Sequence, residues 1–226
     1  VNIREHCSWV HMHHPKEATE KAKDLIRMAV AKASHLEPLT EPELKINPSA
    51  LVIGGGIAGM TAAMSLARQG FLVHLVDKEA ELGGMLKHLH KLQPTERDAS
   101  EVIREAVTAV KANNNIHLHV STLVQDVKGF IGNFDVTLQK KNSNQPIHVN
   151  VGTIIVATGA NEFKPVGMYG YAENENVVTQ LELEQRLQKG LLKKPRKVVM
   201  IQCVGAREKT GKTYCSRICC LVALNN

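Results

Sequence analysis

The chain has 226 residues, 43% of them hydrophobic, which is enough for one large or two small domains with a buried core. No run of about 18 apolar residues is present, so the sequence predicts no membrane-spanning helix and no direct membrane insertion. The net charge of +6 is spread along the chain and only 4% of the residues are aromatic, so the composition does not favour nucleic acid as a partner.

The first 48 residues are predicted to form a helical segment and a linker. Apolar residues between Ala18 and Ala33 recur at spacings of three and four, which predicts one helix that begins at Pro15. Three prolines between residues 36 and 48 then indicate a domain boundary. The segment before the helix contains Cys7, His11, His13 and His14. We expect its histidines to be solvated rather than to bind a metal.

Residues 49–192 are predicted to form one Rossmann-type α/β domain. An apolar strand at 50–56, a helix at about 58–69 and a second strand at 71–79 follow in βαβ order. An amphipathic helix is predicted at 100–111, and alternating segments at 116–122, 134–140 and 145–151 predict short strands. The apolar run at 152–160 predicts a buried central strand, and a further helix is predicted at 180–188.

Residues 193–226 are predicted to begin a second Rossmann-like unit. The apolar run at 198–205 predicts a buried strand, and a helix is predicted around Cys219 and Cys220. The chain begins at Val1 rather than at Met and ends within this helix-like segment. We therefore expect it to be a piece of a longer protein.

A glycine motif indicates a dinucleotide site. Gly54, Gly56 and Gly59 form G-x-G-x-x-G between a predicted strand and helix, which is the context that the motif requires. These glycines permit a tight turn, a close approach to a pyrophosphate and close helix–strand packing, while the helix N-terminus attracts the phosphates. Asp77 ends the second strand, where an acidic residue binds a ribose hydroxyl and disfavours NADP. A solvated Asp77, or Glu79 in its role, remains an alternative.

Two further segments favour FAD over NAD. Gly83-Gly84 follows Asp77 closely, and the run from Thr153 to Gly159 is a strand followed by a glycine. Both resemble segments of the thioredoxin-reductase-like, two-dinucleotide-domain flavoproteins, whose first Rossmann unit contains an inserted β-meander and holds FAD. The resemblance places Val124 at the adenine and Gly84, Met85 and Gly159 at the flavin. The full set of FAD residues that it implies is Gly54, Gly56, Ile57, Ala58, Gly59, Asp77, Lys78, Gly83, Gly84, Met85, Val124, Ala157, Thr158 and Gly159.

The C-terminal cysteines indicate metal or redox chemistry. Cys203, Cys215, Cys219 and Cys220 lie close together in the sequence, and no secretory signal accompanies them. No second G-x-G-x-x-G follows the strand at 198–205. Spacing alone leaves four alternatives, which are a [4Fe–4S] cluster, a zinc ion, a redox-active dithiol and buried structural cysteines.

Strings along nearly the whole chain resemble the family of heterodisulfide reductase A subunits. They are IREHCSWVH, ALVIGGGIAGMTAA, LVDKEAELGGML, GNF, TIIVATGA, TQLELE and VVMIQCVGAR…YCSRICC. The resemblance implies a cytoplasmic iron–sulfur flavoprotein oxidoreductase in which FAD passes electrons between partner subunits and clusters. It implies that Cys203, Cys215, Cys219 and Cys220 bind a [4Fe–4S] cluster, and that Cys7 either ligates another cluster or is a free buried thiol.

The implied partners are the other subunits of such a complex, a hydrogenase or dehydrogenase that donates electrons, and ferredoxin. In this family the chemistry includes flavin-based electron bifurcation. The sequence departs from the family in having no C-x-x-C-x-x-C run. Three alternatives remain, namely the flavin subunit of a quinone-interacting membrane-associated oxidoreductase, an NAD(P)H-dependent disulfide reductase, and a non-catalytic module.

Overall fold

The computed structural model describes residues 1–41, 43–92, 95–191 and 197–225, which divide into two compact units, Val1–Leu44 and Lys45–Asn226. In the first unit, a π-helical turn at Arg4–Ser8 precedes the helix α1 (Pro15–Ser34). Proline suits the first turn of a helix because its missing N–H would have no partner there. The thiol of Cys7 is buried and donates a hydrogen bond to the Ala18 carbonyl at 2.7 Å, which joins the turn to α1.

The second unit contains nine strands and four helices among the described residues. The strands are β1 (Ser49–Ile53), β2 (Leu72–Val76), β3 (Lys91–Leu92), β4 (Arg97–Asp98), β5 (Ile116–His119), β6 (Thr122–Phe130), β7 (Asn133–Lys140), β8 (Ile147–Val151) and β9 (Thr153–Val156). The helices are α2 (Ile57–Arg68), α3 (Ala99–Ala112), α4 (Gln180–Gln188) and α5 (Cys219–Asn225). A 3₁₀ helix spans Gly84–His88.

A four-stranded parallel sheet in the order β5–β2–β1–β9 organises this unit. Alternate side chains of each strand point to opposite faces of a sheet. Val52 and Leu75 therefore pack with Met60 of α2 and Val110 of α3 on one face. On the other face, Leu51 and Val76 pack against the antiparallel meander β6–β7–β8, whose core residues are Val136, Leu138, Val149 and Val151. The predicted α/β Rossmann-type fold with a β-meander is thus present.

Three strand predictions need correction. The single strand predicted at 116–122 is divided between two sheets, because β5 joins the parallel sheet and β6, which begins at Thr122, starts the meander. The predicted central strand is β9, which lies at the edge of the described sheet and leaves Val156 70% exposed. The predicted buried strand at 198–205 is absent from the described residues, and Val199 is 84% exposed. A β-branched run forms a strand only where a neighbouring strand can pair with it, and no described strand does so here.

No helix in the described part of the chain is both long enough and apolar enough to cross a bilayer. The helix α1 has 20 residues but carries charged side chains along its length.

Replacing Leu138 by Ala tests the packing of the meander on the sheet. Leu138 is fully buried between β1, β2 and the meander strands, so we expect Leu138→Ala to lower the free energy of unfolding by about 2–5 kcal/mol. Urea unfolding followed by circular dichroism measures this loss. The control Ile131→Ala, at a side chain that is 88% exposed in the β6–β7 turn, should change it by less than about 0.5 kcal/mol. Equal losses for the two variants would contradict the core assignment.

Candidate functional site

The glycine loop between β1 and α2 lies where the carboxyl ends of β1, β2 and β9 meet. Gly54 has a φ of +113° and donates to the Val76 carbonyl at 2.8 Å. A Cβ on Gly54 would overlap the carbonyl of Ala157, and a Cβ on Gly59 would overlap the carbonyl of Gly54. The first and third glycines of the motif are therefore required by close packing of the chain itself. Crevices at the carboxyl ends of parallel strands are where open α/β sheets bind their ligands.

Asp77 holds this loop through one carboxylate oxygen and the turn after β2 through the other. One oxygen accepts from the backbone N–H of Gly55 and the other from that of Glu79 at 2.8 Å. The side chain is only 9% exposed, and a Cβ on Gly55 would lie 2.7 Å from its Oδ2. The structure therefore shows a structural role for Asp77 that sequence reasoning did not predict. Gly55, which the motif treats as variable, is therefore restricted as well, because a Cβ there would overlap the side chains of Leu82 and Asp77.

The Gly83-Gly84 segment lies directly against the glycine loop. Gly83 donates to the Gly55 carbonyl at 2.9 Å and forms an isolated parallel bridge with Gly56. Gly84 has a φ of +54°, and a Cβ there would approach the Gly56 Cα to 2.9 Å. By contrast, a Cβ on Gly56 would meet only Gly84, at 3.9 Å. Gly56 therefore leaves open space in which backbone can approach a ligand.

The N-terminus of α2 offers binding groups for an anion. Gly56 occupies the N-cap position, no described side chain caps the helix, and its first turn contains no acidic residue. The N–H groups of Ile57, Ala58 and Gly59 precede the first intrahelical hydrogen bond, which runs from Met60 to Gly56 at 2.9 Å. Uncapped N–H groups and the helix dipole attract phosphate. This end of the site fits the pyrophosphate of a dinucleotide.

The start of the meander is attached to the end of β2. The Asp77 carbonyl accepts from Thr122 at 2.9 Å, and the Glu79 carbonyl accepts from Ser121 at 2.8 Å. Val124 follows on β6, where a β-bulge separates it from Asp126. These bonds bring Val124 to the same side of the site as Asp77 and the exposed Lys78.

The opposite side of the site is formed by the end of β9 and the segment after Gly84. Ala157 continues the β1–β9 pairing by donating to the Ile53 carbonyl at 2.8 Å. Thr158 and Gly159 are exposed beyond it, and a Cβ on Gly159 would meet open space. Met85 is 42% exposed. The structure thus brings the predicted residues of the glycine loop, Gly83-Gly84 and the end of β9 to one edge of the sheet.

Helix α4 contacts the two segments that follow Gly84 and Gly159. Its buried Glu184 accepts from the backbone N–H of His90 at 2.7 Å. Its Glu182 accepts from Lys164 at 2.8 Å and from the Tyr171 hydroxyl at 2.7 Å. Sequence reasoning missed these residues, although Thr179 and Glu182 form a capping box whose spacing is readable from sequence.

The charges at α4 shift each other's protonation. Burial alone would raise the pKa of Glu182, but hydrogen bonds from Lys164, Thr179 and Tyr171 outweigh it and lower that pKa to about 2. Burial would likewise lower the pKa of Lys164, but its bonds to Glu162 and Glu182 raise that pKa instead. Lys164 lies 2.7 Å from Glu162 as well as 2.8 Å from Glu182. The ion pair is therefore formed throughout the neutral pH range.

The chain between Cys203 and Cys215 folds back on itself. Arg207 donates to the Tyr214 carbonyl at 3.2 Å and Glu208 donates to the Lys212 carbonyl at 3.1 Å, as in a hairpin. Cys215 is consequently returned towards Cys203, and α5 begins at Cys219. Gly205 packs so closely against the ring of Phe163 that a Cβ would overlap it.

Hydrogen-bond donors reach two of these sulfurs. The Cys215 sulfur accepts from the Arg217 N–H and the Cys219 sulfur accepts from the Ser216 hydroxyl, both at 3.3 Å. The Ser216 bond is the main cause of the lowered pKa of Cys219. The pKa of Cys220 is raised by the charge of Cys219 and, more weakly, by those of its two other neighbours, Cys203 and Cys215. Cys220 therefore lies close enough to the other three cysteines for their charges to act on it.

Within the described ranges, no three His, Cys, Asp or Glu side chains have the arrangement that a single metal ion requires. A [4Fe–4S] cluster is larger than one ion and takes one thiolate per iron, so its ligands lie further apart. In the N-terminal unit, the ring of His11 lies 2.9 Å from the Lys21 ammonium, and the Cys7 thiol is occupied by the Ala18 carbonyl.

Comparison with known proteins agrees with this geometry. Residues 48–205 match the family described as pyridine nucleotide-disulphide oxidoreductase. The iron-sulfur A subunit 1 of CoB–CoM heterodisulfide reductase from Methanopyrus kandleri is 35% identical, with a match over 100% of this chain and 48% of the relative. The A subunit of the H2:CoB–CoM heterodisulfide,ferredoxin reductase from Methanothermobacter marburgensis is 34% identical, over 100% of this chain and 48% of that protein. The resemblance predicted from the quoted strings is confirmed.

The chain spans about half the length of these curated relatives. The match to the M. kandleri protein extends over 319 aligned positions, against 226 residues here, so that relative has additional residues inside the matched span. Among solved structures, L-proline dehydrogenase from P. horikoshii is 25% identical with a TM-score of 0.45, covering 55% of this chain and 25% of its own. Thioredoxin reductase from Lactococcus lactis is 21% identical with a TM-score of 0.43, covering 51% of this chain and 37% of its own.

Replacing Asp77 by Asn tests its role in holding the glycine loop. Asn retains one carbonyl oxygen, so one of the N–H groups of Gly55 and Glu79 loses its acceptor. We expect Asp77→Asn to lower the free energy of unfolding by about 1–3 kcal/mol in a urea titration. Glu79→Gln, at an exposed side chain two positions away, should change it by less than about 0.5 kcal/mol. A stable Asp77→Asn variant would show that the loop does not need the carboxylate.

The acid sensitivity of α4 follows from the lowered pKa of Glu182. Because the folded-state pKa of about 2 lies below the ordinary value of 4.5, its stabilising contribution is complete above about 4.5 and is lost as the pH falls towards 2. Lys164→Met removes the cation and raises this folded-state pKa towards 4.5, so the acid-induced loss should become smaller and should be complete at a higher pH. Urea midpoints measured across this range test the shift. Lys128→Met, at an exposed ion pair with Asp126, should leave the profile unchanged.

Proposed function

We propose that this chain, which belongs to the pyridine nucleotide-disulphide oxidoreductase family, is the FAD-binding part of an electron-transfer subunit of the heterodisulfide reductase type. The observation that carries the proposal is the contact between two glycine segments beside an uncapped helix N-terminus. Backbone meets backbone there, and Gly56 leaves open space at the end of α2. This arrangement suits a bulky dinucleotide whose pyrophosphate must lie close to the main chain.

Different residues of the site would bind the pyrophosphate, the adenosine and the flavin ring of FAD. The loop from Gly54 to Gly59 would bind the pyrophosphate through backbone N–H groups. Asp77 and Val124 lie on the side that would receive the adenosine, and Asp77 has lone pairs left for a ribose hydroxyl beyond the two N–H groups it accepts. The segment at Gly84 and Gly159 would lie beside the flavin ring. When bound, FAD would supply the exchange between two-electron and one-electron chemistry.

The four C-terminal cysteines would hold a [4Fe–4S] cluster. Support comes from the folded-back chain between Cys203 and Cys215, from the N–H and O–H donors to two sulfurs, and from the electrostatic influence of the other three cysteines on Cys220. Such donors stabilise the thiolates that ligate iron. The M. kandleri relative is named as an iron-sulfur subunit, which accords with this assignment.

The proposed partners follow from the names of relatives. The M. marburgensis relative is named for H2, a heterodisulfide and ferredoxin, and a relative from Methanosarcina acetivorans is named as dependent on ferredoxin or F420H2. We infer that the protein works in the cytoplasm with other subunits of such a complex, receives electrons from a hydrogenase or dehydrogenase, and exchanges them with ferredoxin. A branched, bifurcating transfer is the form that the family suggests.

A second candidate is favoured by the family match, which names pyridine nucleotides. In that case NADH or NADPH would reduce the flavin, and the adjacent Cys219 and Cys220 would form a redox-active dithiol. The absence of a second G-x-G-x-x-G in the sequence weighs against it.

The function is tested by anaerobic purification with quantification of FAD and iron, followed by absorption spectra before and after dithionite. We expect one FAD and about four irons per chain, and bleaching of both the flavin bands and a broad iron–sulfur shoulder. Gly84→Ala should abolish FAD binding but keep the iron, because its Cβ would press on Gly56 at 2.9 Å. Cys219→Ser should lose the iron but keep the FAD.

The matched control is Gly190→Ala, whose φ of +64° is similar but whose Cβ would meet no atom of the described residues within 4 Å. Gly190→Ala also places alanine at a positive φ, so its backbone strain is similar to that of Gly84→Ala, but it makes no close contact with another segment. This variant should therefore retain both FAD and iron. If the purified protein contains no FAD and does not bind added FAD, the proposal is overturned. Flavin bleaching by NADH or NADPH without dithionite, with no iron present, would favour the second candidate.

A further inference from the structure

Three histidines share one face of the parallel sheet, and none of them is among the residues proposed for FAD or iron. His117 and His119 are two positions apart on β5 and therefore point to the same face. His74 on β2 is the register partner of His117, so its side chain lies on that face too. It is the face on which the meander packs, and the three imidazoles lie towards the sheet edge formed by β5.

Two of these imidazoles have nitrogens at the separation of metal ligands. Nδ1 of His74 lies 3.1 Å from Nε2 of His119, and their rings are stacked with centroids 5.3 Å apart. Two nitrogens bound at about 2.0–2.1 Å to one tetrahedral ion are about 3.4 Å apart, so a small adjustment would fit an ion between them. The ring of His117 stands edge-on to His74, also with centroids 5.3 Å apart.

We propose that His74 and His119 form a two-imidazole chelate for a divalent transition-metal ion of the Zn²⁺, Ni²⁺ or Cu²⁺ class. His117 is the neighbouring donor that a bound ion would recruit, since no preformed three-ligand site exists among the described residues. The imidazole ligands select this class of ion over Mg²⁺ or Ca²⁺. Water would fill the remaining coordination positions.

The contact between the two inner nitrogens is a hydrogen bond, so one ring donates to the other. A bound ion would replace this hydrogen bond, and each neutral ring would then carry its N–H proton on the outer nitrogen. Burial, His117 and the cation of Lys140 on β7 lower the pKa of His119, which places the Lys140 charge close to the pair.

Two neighbouring side chains affect how an ion reaches the pair and how tightly it binds. The His117 side chain is exposed, which gives an ion a route from solvent to the half-buried pair. The exposed Lys140 ammonium opposes any cation at this position. Removal of that charge should therefore strengthen metal binding, which no purely structural histidine pair would show.

The test is isothermal titration of the anaerobically purified chain with Ni²⁺. We expect one site that His119→Gln weakens by more than the roughly 10–100-fold that loss of an outer-shell contact causes. His117→Gln, at an exposed position, should weaken it less and leave the fold intact. Lys140→Gln should tighten it by a few-fold, whereas His148→Gln, at an exposed histidine on β8, should have no effect.

Ni²⁺ binding to the cysteines is distinguished by Cys219→Ser. The proposal requires that this variant keeps the Ni²⁺ site that His119→Gln loses. It is overturned if Cys219→Ser removes the site, or if neither His119→Gln nor Lys140→Gln changes the affinity. Because Lys140→Gln leaves the sheet core untouched, the test remains decisive even if a histidine variant fails to fold.

Discussion

The structure of the site depends on one contact, in which the backbone of residues 54–56 lies directly against that of Gly83-Gly84. Such an approach is possible only without side chains on either segment, and it must be held from outside because glycine adds conformational freedom. The buried Asp77 carboxylate holds the first segment, since it accepts from the N–H of Gly55 as well as from that of Glu79 after β2. The open space at Gly56 and the free end of α2 follow from that contact.

The order of elements was predictable because the hydrophobic periods of helices and strands differ clearly in residues 49–160. The sheet to which each strand belongs was harder to predict from the sequence. β5 and β6 form one alternating stretch in the sequence, and only the turn at Ser121, with a φ of +52°, separates a parallel strand from an antiparallel one. The run at 198–205 has the composition of a buried strand. Whether it forms one depends on a neighbouring strand that can hydrogen-bond to it, and the run itself does not encode that neighbour.

The site could be predicted where a motif carries a backbone requirement. Gly54, Gly59 and Gly84 were identified in this way, and each is confined by another backbone segment. Gly55 was not identified because the distant side chains of Leu82 and Asp77 restrict it, and motifs record local spacing only. Glu184 was not identified either, because its partner is the main-chain N–H of His90, which is far from it in the sequence. Long-range hydrogen bonds of this kind leave no periodic trace in a sequence.

The position of β9 beside β1 has a consequence for how the chain acquires its site. Gly54 packs on Ala157, so the floor of the crevice joins residues that the whole of α2, α3 and the meander separate in sequence. Closing so long a loop is entropically costly and slow compared with the formation of local turns. During synthesis, the first βαβ unit emerges well before β9 does. The crevice is therefore a late product of folding, and a ligand that binds there recognises a sheet that has already closed.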